Sequence, residues 1–142
     1  MSNIRQTIII REDLKLPKGL SEAQVAHLHM EYFRQRLLEG FDKDINCLSS
    51  LISKVQFSSD EKEWLKSPYT FVHGVPNIEV LERFKNMALS NGIIVREWRD
   101  TVYIKVSPNQ QIVVENCLIG ITLGPTDSDR IKTAIGDLPL LS

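Results

Sequence analysis

The segment Ile4–Arg11 constrains the fold more than any other stretch of this chain. Its β-branched and apolar residues, with Ile8, Ile9 and Ile10 in succession, make it apolar enough to form a buried strand. Pro17 and Gly19, in the stretch from Asp13 to Gly19 that follows, end it.

Helical periodicity begins next. Ser21 with Gln24 three residues later fits a capping box, and Val25, Leu28, His29 and Tyr32 recur at i, i+3, i+4 and i+7 until Gly40 stops the helix. Leu48, Leu51, Ile52 and Val55 carry the spacing of a further helix among Ser-rich neighbours. Ser58 or Ser59 can cap a short helix through Trp64 and Leu65, which Pro68 terminates. Tyr69 to His73 reads as a strand. Pro76 and Asn77 open a helix with the apolar face Ile78, Leu81, Phe84, Met87 and Ala88, closed by Asn91-Gly92. Ile93 to Trp98 returns as a strand, Thr101 to Val106 and Gln111 to Leu123 are β-rich around the turn Ser107-Pro108-Asn109, and Asp127 to Ile135 suits a last helix ending near Gly136. This order predicts an α/β domain, a small mixed sheet of about four strands flanked by helices in a three-layer sandwich.

A chain of 142 residues with 42% hydrophobic content is the size of one domain, and no apolar stretch reaches the roughly 18 residues of a membrane span. Cys47 and Cys117 stand far apart and outside any Cys/His cluster, which predicts no metal site and a reducing, cytoplasmic setting. Seventeen basic against eighteen acidic residues give a net charge of −1, so any RNA contact has to come from a local patch.

Two stretches resemble a known family. Arg11-Glu12-Asp13-Leu14-Lys15-Leu16-Pro17-Lys18-Gly19, followed by Ala23-Gln24-Val25-Ala26-His27, looks like the opening motif of type 2 peptidyl-tRNA hydrolases, roughly R-x-D-L-K-M-x-K-G-K-x-A-A-Q-x-x-H-A. Gly124-Pro125 and the ending Ile135-Gly136-Asp137-Leu138-Pro139-Leu140-Leu141 are similar to that family's closing segments. The resemblance implies hydrolysis of the ester joining a peptide to the 3′ ribose of tRNA, by a domain that is commonly dimeric and uses neither metal nor organic cofactor.

The same resemblance names candidate residues. Lys15 and Lys18 precede the helix and can supply charge to phosphate or oxyanion, although loop lysines are ordinarily just solvated. The family's functional lysine follows the glycine, where this chain has Leu20. Glu97-Trp98-Arg99-Asp100-Thr101 matches the offset of the family's D-A-G-[RK]-T, with Glu97 and Thr101 in the acidic and threonine positions; a second alignment gives Asp100 the acidic role. Trp98 and Asp100 replace small residues there and are expected to narrow or recharge a cleft. Gln24 either orders the loop or serves as the capping partner, and His27 is expected on the inward side of its helix. Gly124 and Pro125 are candidate substrate contacts.

Other chemistries lack their residues. No Gly-rich phosphate loop and no G-x-S-x-G elbow occurs, and His27 and His29, two apart, do not share a helical face as metal ligands would. The aromatic residues Tyr69, Phe71, Trp98 and Tyr103 are expected to pack beneath helices.

Overall fold

A computed structural model describes residues 3–39, 56–136 and Leu138. The helix expected around Leu48 to Val55 therefore lies outside the described residues, as do Cys47 and most of the leucine-rich ending.

The elements in chain order are β1 (Ile4–Arg11), α1 (Lys18–Leu38), α2 (Ser59–Lys66), β2 (Thr70–Val75), α3 (Ile78–Ser90), β3 (Val95–Ser107), β4 (Gln110–Asp127) and α4 (Ser128–Ile135). The strands form one mixed sheet in the order β2-β1-β4-β3, with β1 parallel to β2 and antiparallel to β4, and β3 antiparallel to β4. Helices cover both faces, giving the three-layer α/β sandwich that the buried first strand requires.

Alternation along β1 sorts those faces. Ile9 enters a core with Leu81 and Ala88 of α3, Ile131 and Ala134 of α4, and Ile121 and Leu123 of β4. Ile10 points the other way, into a second cluster with Leu14, Val102, Cys117 and Ile119, against which Val25 and Trp98 pack. On that side Gln6 donates to the carbonyl of His29 at 3.3 Å, and Thr122 donates to the carbonyl of Leu28 at 2.7 Å, so polar residues of the sheet fasten α1 down. Burying Leu28 completely contributes about 2 kcal/mol.

α1 can approach this closely because Gly120 has no side chain. A Cβ there would stand 2.5 Å from the carbonyl oxygen of Ile9 and 2.8 Å from Cδ1 of Leu28. Gly120 pairs with Trp98 across β4 and β3, so the close approach occurs where α1 meets Trp98.

α1 begins one turn earlier than the capping-box reading requires. Lys18 is its first residue, Pro17 precedes it with no side-chain cap, and the amide of Ser21 already donates to the carbonyl of Pro17 at 2.9 Å. Ser21 thus lies inside the helix, where its position has no free amide to cap, and Gln24 sits in the second turn with its side chain available for another partner. The other helix starts follow their residues. Ser58 and Glu61 form a reciprocal capping box at α2, and Asn77 Oδ1 accepts from the amide of Val80 at 3.0 Å at α3. Met87 leaves the apolar stripe expected of α3 and is 40% exposed.

The two β-rich segments expected separately around residues 93–106 are one strand of thirteen residues, β3. Its outer half pairs with β4 as a two-stranded ribbon, in which Tyr103 and Val113 face each other across the strands and remain 62% and 52% exposed. Tyr69 and Phe71, on the opposite edge of the sheet, are also exposed, and Arg5 lies over the Phe71 ring at 4.9 Å. Three of the four aromatic residues expected beneath helices are therefore open, because they occupy sheet edges or the ribbon that extends beyond them.

Candidate active site

The loop before α1 is built by alternation. Leu14 is buried and Leu16 half-buried in the second core cluster, which turns Lys15 and Lys18 to solvent. Arg11 braces the loop with two bonds to Asp13, at 3.0 and 2.8 Å, and a third to the carbonyl of Leu118 at 3.1 Å. Hydrogen bonding to Arg11, against the opposing effect of burial, holds the Asp13 carboxyl below its ordinary range. Lys15 adopts a left-handed φ of 50°, closing a turn in which its amide donates to the carbonyl of Glu12.

Two turns into α1, the side chain of Gln24 reaches β3. It is only 3% exposed and both ends of its amide are engaged: Nε2 donates to Asp100 Oδ2 at 3.1 Å, and Oε1 accepts from Trp98 Nε1 at 2.6 Å. The indole donor fixes the amide's orientation, since only its oxygen can face Trp98, and the NH₂ group must then face the carboxylate. Asp100 Oδ1 accepts from the amide of Thr101 at 2.8 Å. Both carboxylate oxygens are thereby oriented while Asp100 remains half-exposed.

His27 also meets Trp98. The imidazole and indole stack with centroids 4.7 Å apart and planes 15° from parallel. His27 is exposed rather than inward, because Leu28 and Gln24 take the buried positions on this part of the helix. Gln24, His27, Trp98 and Asp100 thus form one contiguous group on the α1 face of the sheet.

Glu97 stands outside this group. Strand alternation sends it away from Trp98 and Asp100, and it pairs with Lys85 of α3 at 3.0 Å and with Arg99 at 3.3 Å. Partial burial opposes its ionisation, but the bond and charge of Lys85 and the charge of Arg99 outweigh this and hold its pKa below the usual range. Thr101 follows the same alternation: its amide serves Asp100 while its side chain leaves from the opposite face, exposed.

Two irregularities in β4 bracket Asp100. Register shifts fall between Trp98 and Arg99 and between Asp100 and Val102, placing extra residues of β4 opposite them, and Asn116 takes a left-handed φ of 51°. Such bulges re-aim side chains near sites.

Gly124 and Pro125 lie far from Gln24. The amide of Gly124 donates to the carbonyl of Ile94, six residues before Asp100, which at the rise of a strand is roughly 20 Å away. Pro125 lines a separate polar recess of about 400 Å³ with Tyr32, Arg36, Arg96 and Arg130. Of the sequence candidates, then, the structure joins Gln24, His27 and Asp100, keeps Lys15 and Lys18 on the adjoining loop and helix start, and leaves Glu97, Gly124 and Pro125 elsewhere.

The opening motif thus forms the loop and the first two turns of α1, and its Gln24 holds the Asp100 carboxylate of β3. A family model described as peptidyl-tRNA hydrolase PTH2 matches residues 4–141. This chain belongs to that family. The match covers both the motif that forms the loop and α1 and the β3–β4 region that supplies Trp98 and Asp100.

As a member of the PTH2 family the chain departs from the expected pattern at Leu20 as well as at Trp98. Leu20, at the position of the family lysine, is 46% exposed in the first turn of α1. Trp98 was legible only as an obstruction, because a single sequence does not reveal that its N–H and ring face would meet Gln24 and His27 of another element. The available signal was spacing: Gln24 and His27 share a helical face at i and i+3, and Trp98 and Asp100 a strand face at i and i+2. Among the described residues, no group of three or more His, Cys, Asp or Glu side chains converges to hold a metal, and no described helix is long and apolar enough to cross a membrane.

Proposed function

We propose that this PTH2-family chain hydrolyses the ester bond of peptidyl-tRNA or a related aminoacyl-tRNA ester, with Asp100 as the working carboxylate. The observation that carries the assignment is the bond from buried Gln24 to Asp100, which orients a half-exposed carboxylate against the second turn of α1. Asp100 accepts a proton from an attacking water while the new C–O bond forms at the ester carbonyl; collapse of the oxyanion releases the peptide acid, and the 3′ oxygen leaves with a proton. The uncapped amides at the start of α1, with Lys15 and Lys18, supply positive potential for the oxyanion and neighbouring phosphates. No metal or organic cofactor enters this scheme. Pairing of two copies belongs to the proposal, and sedimentation velocity tests it.

The test is single-turnover hydrolysis of an N-blocked aminoacyl-tRNA. Asp100→Asn should lower the rate at least a hundredfold, whereas Glu97→Gln should keep it within about threefold. The opposite ranking would assign the acidic role to Glu97.

One observation favours a second reading, a PTH2 scaffold that binds without hydrolysing: exposed Leu20 carries no charge at the lysine position. Absence of wild-type turnover, with activity appearing in Leu20→Lys, would establish it.

A further inference from the structure

We propose that the stacked His27–Trp98 pair is a platform for an unpaired nucleobase at the 3′ end of the bound RNA, with the base lying on the outer face of the imidazole. The inference rests on the tRNA reading above and adds to it a base-recognition element.

The geometry is that of an unfinished stack. The two rings lie nearly parallel, at 15° and 4.7 Å between centroids, yet His27 is exposed and Trp98 is its one ring contact among the described residues. Aromatic side chains, histidine included, receive splayed bases in this way. The lower ring is fixed before any ligand arrives: Trp98 packs against the second core cluster, and its N–H is held by Gln24, itself 3% exposed. A ring ordered beforehand loses little freedom on binding.

The surroundings suit a nucleotide better than an aromatic side chain of the peptide. Trp98 also lines a cleft of about 460 Å³ that brings together Arg34, Arg96 and Arg99, paired with Glu31, Glu39 and Glu97. Arg34 is paired with Glu31 and Arg99 with Glu97, but their side chains are 54% and 39% exposed, so phosphates flanking a stacked base would reach them by sharing those pairs. Trp98 carries the stack on the strand face it shares with Asp100, two residues on, so a base stacked on His27 would lie beside the ester that Asp100 addresses.

The experiment uses the full chain and an RNA hairpin with a single-stranded 3′ end and a free 3′ hydroxyl. Because this RNA has no ester, binding is read independently of hydrolysis, by anisotropy of a 5′ label. A second hairpin has abasic sites in place of the unpaired bases. The intact RNA should bind about tenfold more tightly than the abasic one, in the range of a single base–aromatic contact. His27→Ala should erase most of that difference while changing the abasic affinity less than about twofold, with an unchanged thermal midpoint.

Equal affinity for the two RNAs would overturn the platform, as would a His27→Ala loss that is the same for both, or no binding at all. Preference for an aromatic over an alanyl ester without any abasic effect would give the rings to the peptide and likewise reject the proposal. A base effect without ester turnover would reject the hydrolase reading and keep the platform. Turnover without a base effect would do the reverse.

Discussion

Replacing Gln24 by glutamate tests the central hydrogen bond most sharply, because it keeps the shape of the side chain and reverses the meaning of one contact. The introduced carboxyl can still accept from Trp98 Nε1, but its second oxygen takes the place of the NH₂ group that stands 3.1 Å from Asp100 Oδ2. Two unit charges at that distance repel by about 5 kcal/mol at an effective dielectric constant of 20. Asp100 is half-exposed, so solvent screening reduces this to about 1–2 kcal/mol, or about one pKa unit on the introduced group. Its folded-state pKa then lies above the unfolded value near 4.3, and the native state binds more protons between the two. Stability of the variant relative to wild type should therefore be undiminished at pH 4 and fall as pH rises through about 4.3 to 5.5, reaching the full loss by pH 7. Gln24→Leu is the control. It leaves Trp98 Nε1 and Asp100 Oδ2 without their partner and should cost about 1–2 kcal/mol at every pH. Urea unfolding of all three proteins from pH 4 to 7 reads these differences as midpoint shifts. Equal losses for the two variants across the whole range would refute the placement of Gln24 against Asp100.

Three further outcomes follow from the same geometry. Gly120→Ala should destabilise by about 1–3 kcal/mol in urea titration, because its Cβ meets backbone at Ile9 and the side chain of Leu28, and it should weaken the Trp98 stack by lifting α1. Arg36→Met should cost about 3 kcal/mol, since it strips Glu61, 4% exposed, of the guanidinium that holds it at 2.9 Å. Burial opposes ionisation of Glu31 and Glu61, but their hydrogen bonds, to Arg34 and Gln35 and to Arg36 and Ser58, prevail and lower both pKa values. Stability from these groups is present above the ordinary carboxylate range and is lost as pH falls below about 4.3, which an acid titration followed by circular dichroism checks.

The layers of the fold were legible because they depend on periodicity. The run through Ile10 demanded cover on both faces, and Ser58, Asn77 and Gly92 marked helix ends through local chemistry that a sequence displays directly. The start of α1 misled for a physical reason. Ser21 and Gln24 have capping-box spacing, but burial of Leu14 and Leu16 pulls the chain into the helix at Lys18, and tertiary packing overrides the local signal. The acidic position was open between Glu97 and Asp100 because the motif admits two alignments, and the two residues, an odd number apart, face opposite ways on one strand. Which face lies under α1 is set by Gly120 on the neighbouring strand and by the register of β3 with β4, neither of which periodicity reports.

That one-turn displacement of the helix start also connects the fold to the chemistry. Had Ser21 capped α1, the amide of Gln24 would have turned back to the chain end, leaving the indole N–H of Trp98 and Asp100 Oδ2 without this shared partner. Beginning at Lys18 instead places Gln24 about 9 Å along the helix axis from the first amides, far enough to meet β3 while the positive end of α1 stays open beside it. The lysine missing at Leu20 removes one charge from that end but does not touch the Gln24–Asp100 bond. Orientation of the carboxylate and charge at the helix start are therefore separable contributions. A Leu20→Lys chain should change the rate of hydrolysis without altering the pH dependence that Gln24→Glu introduces into stability.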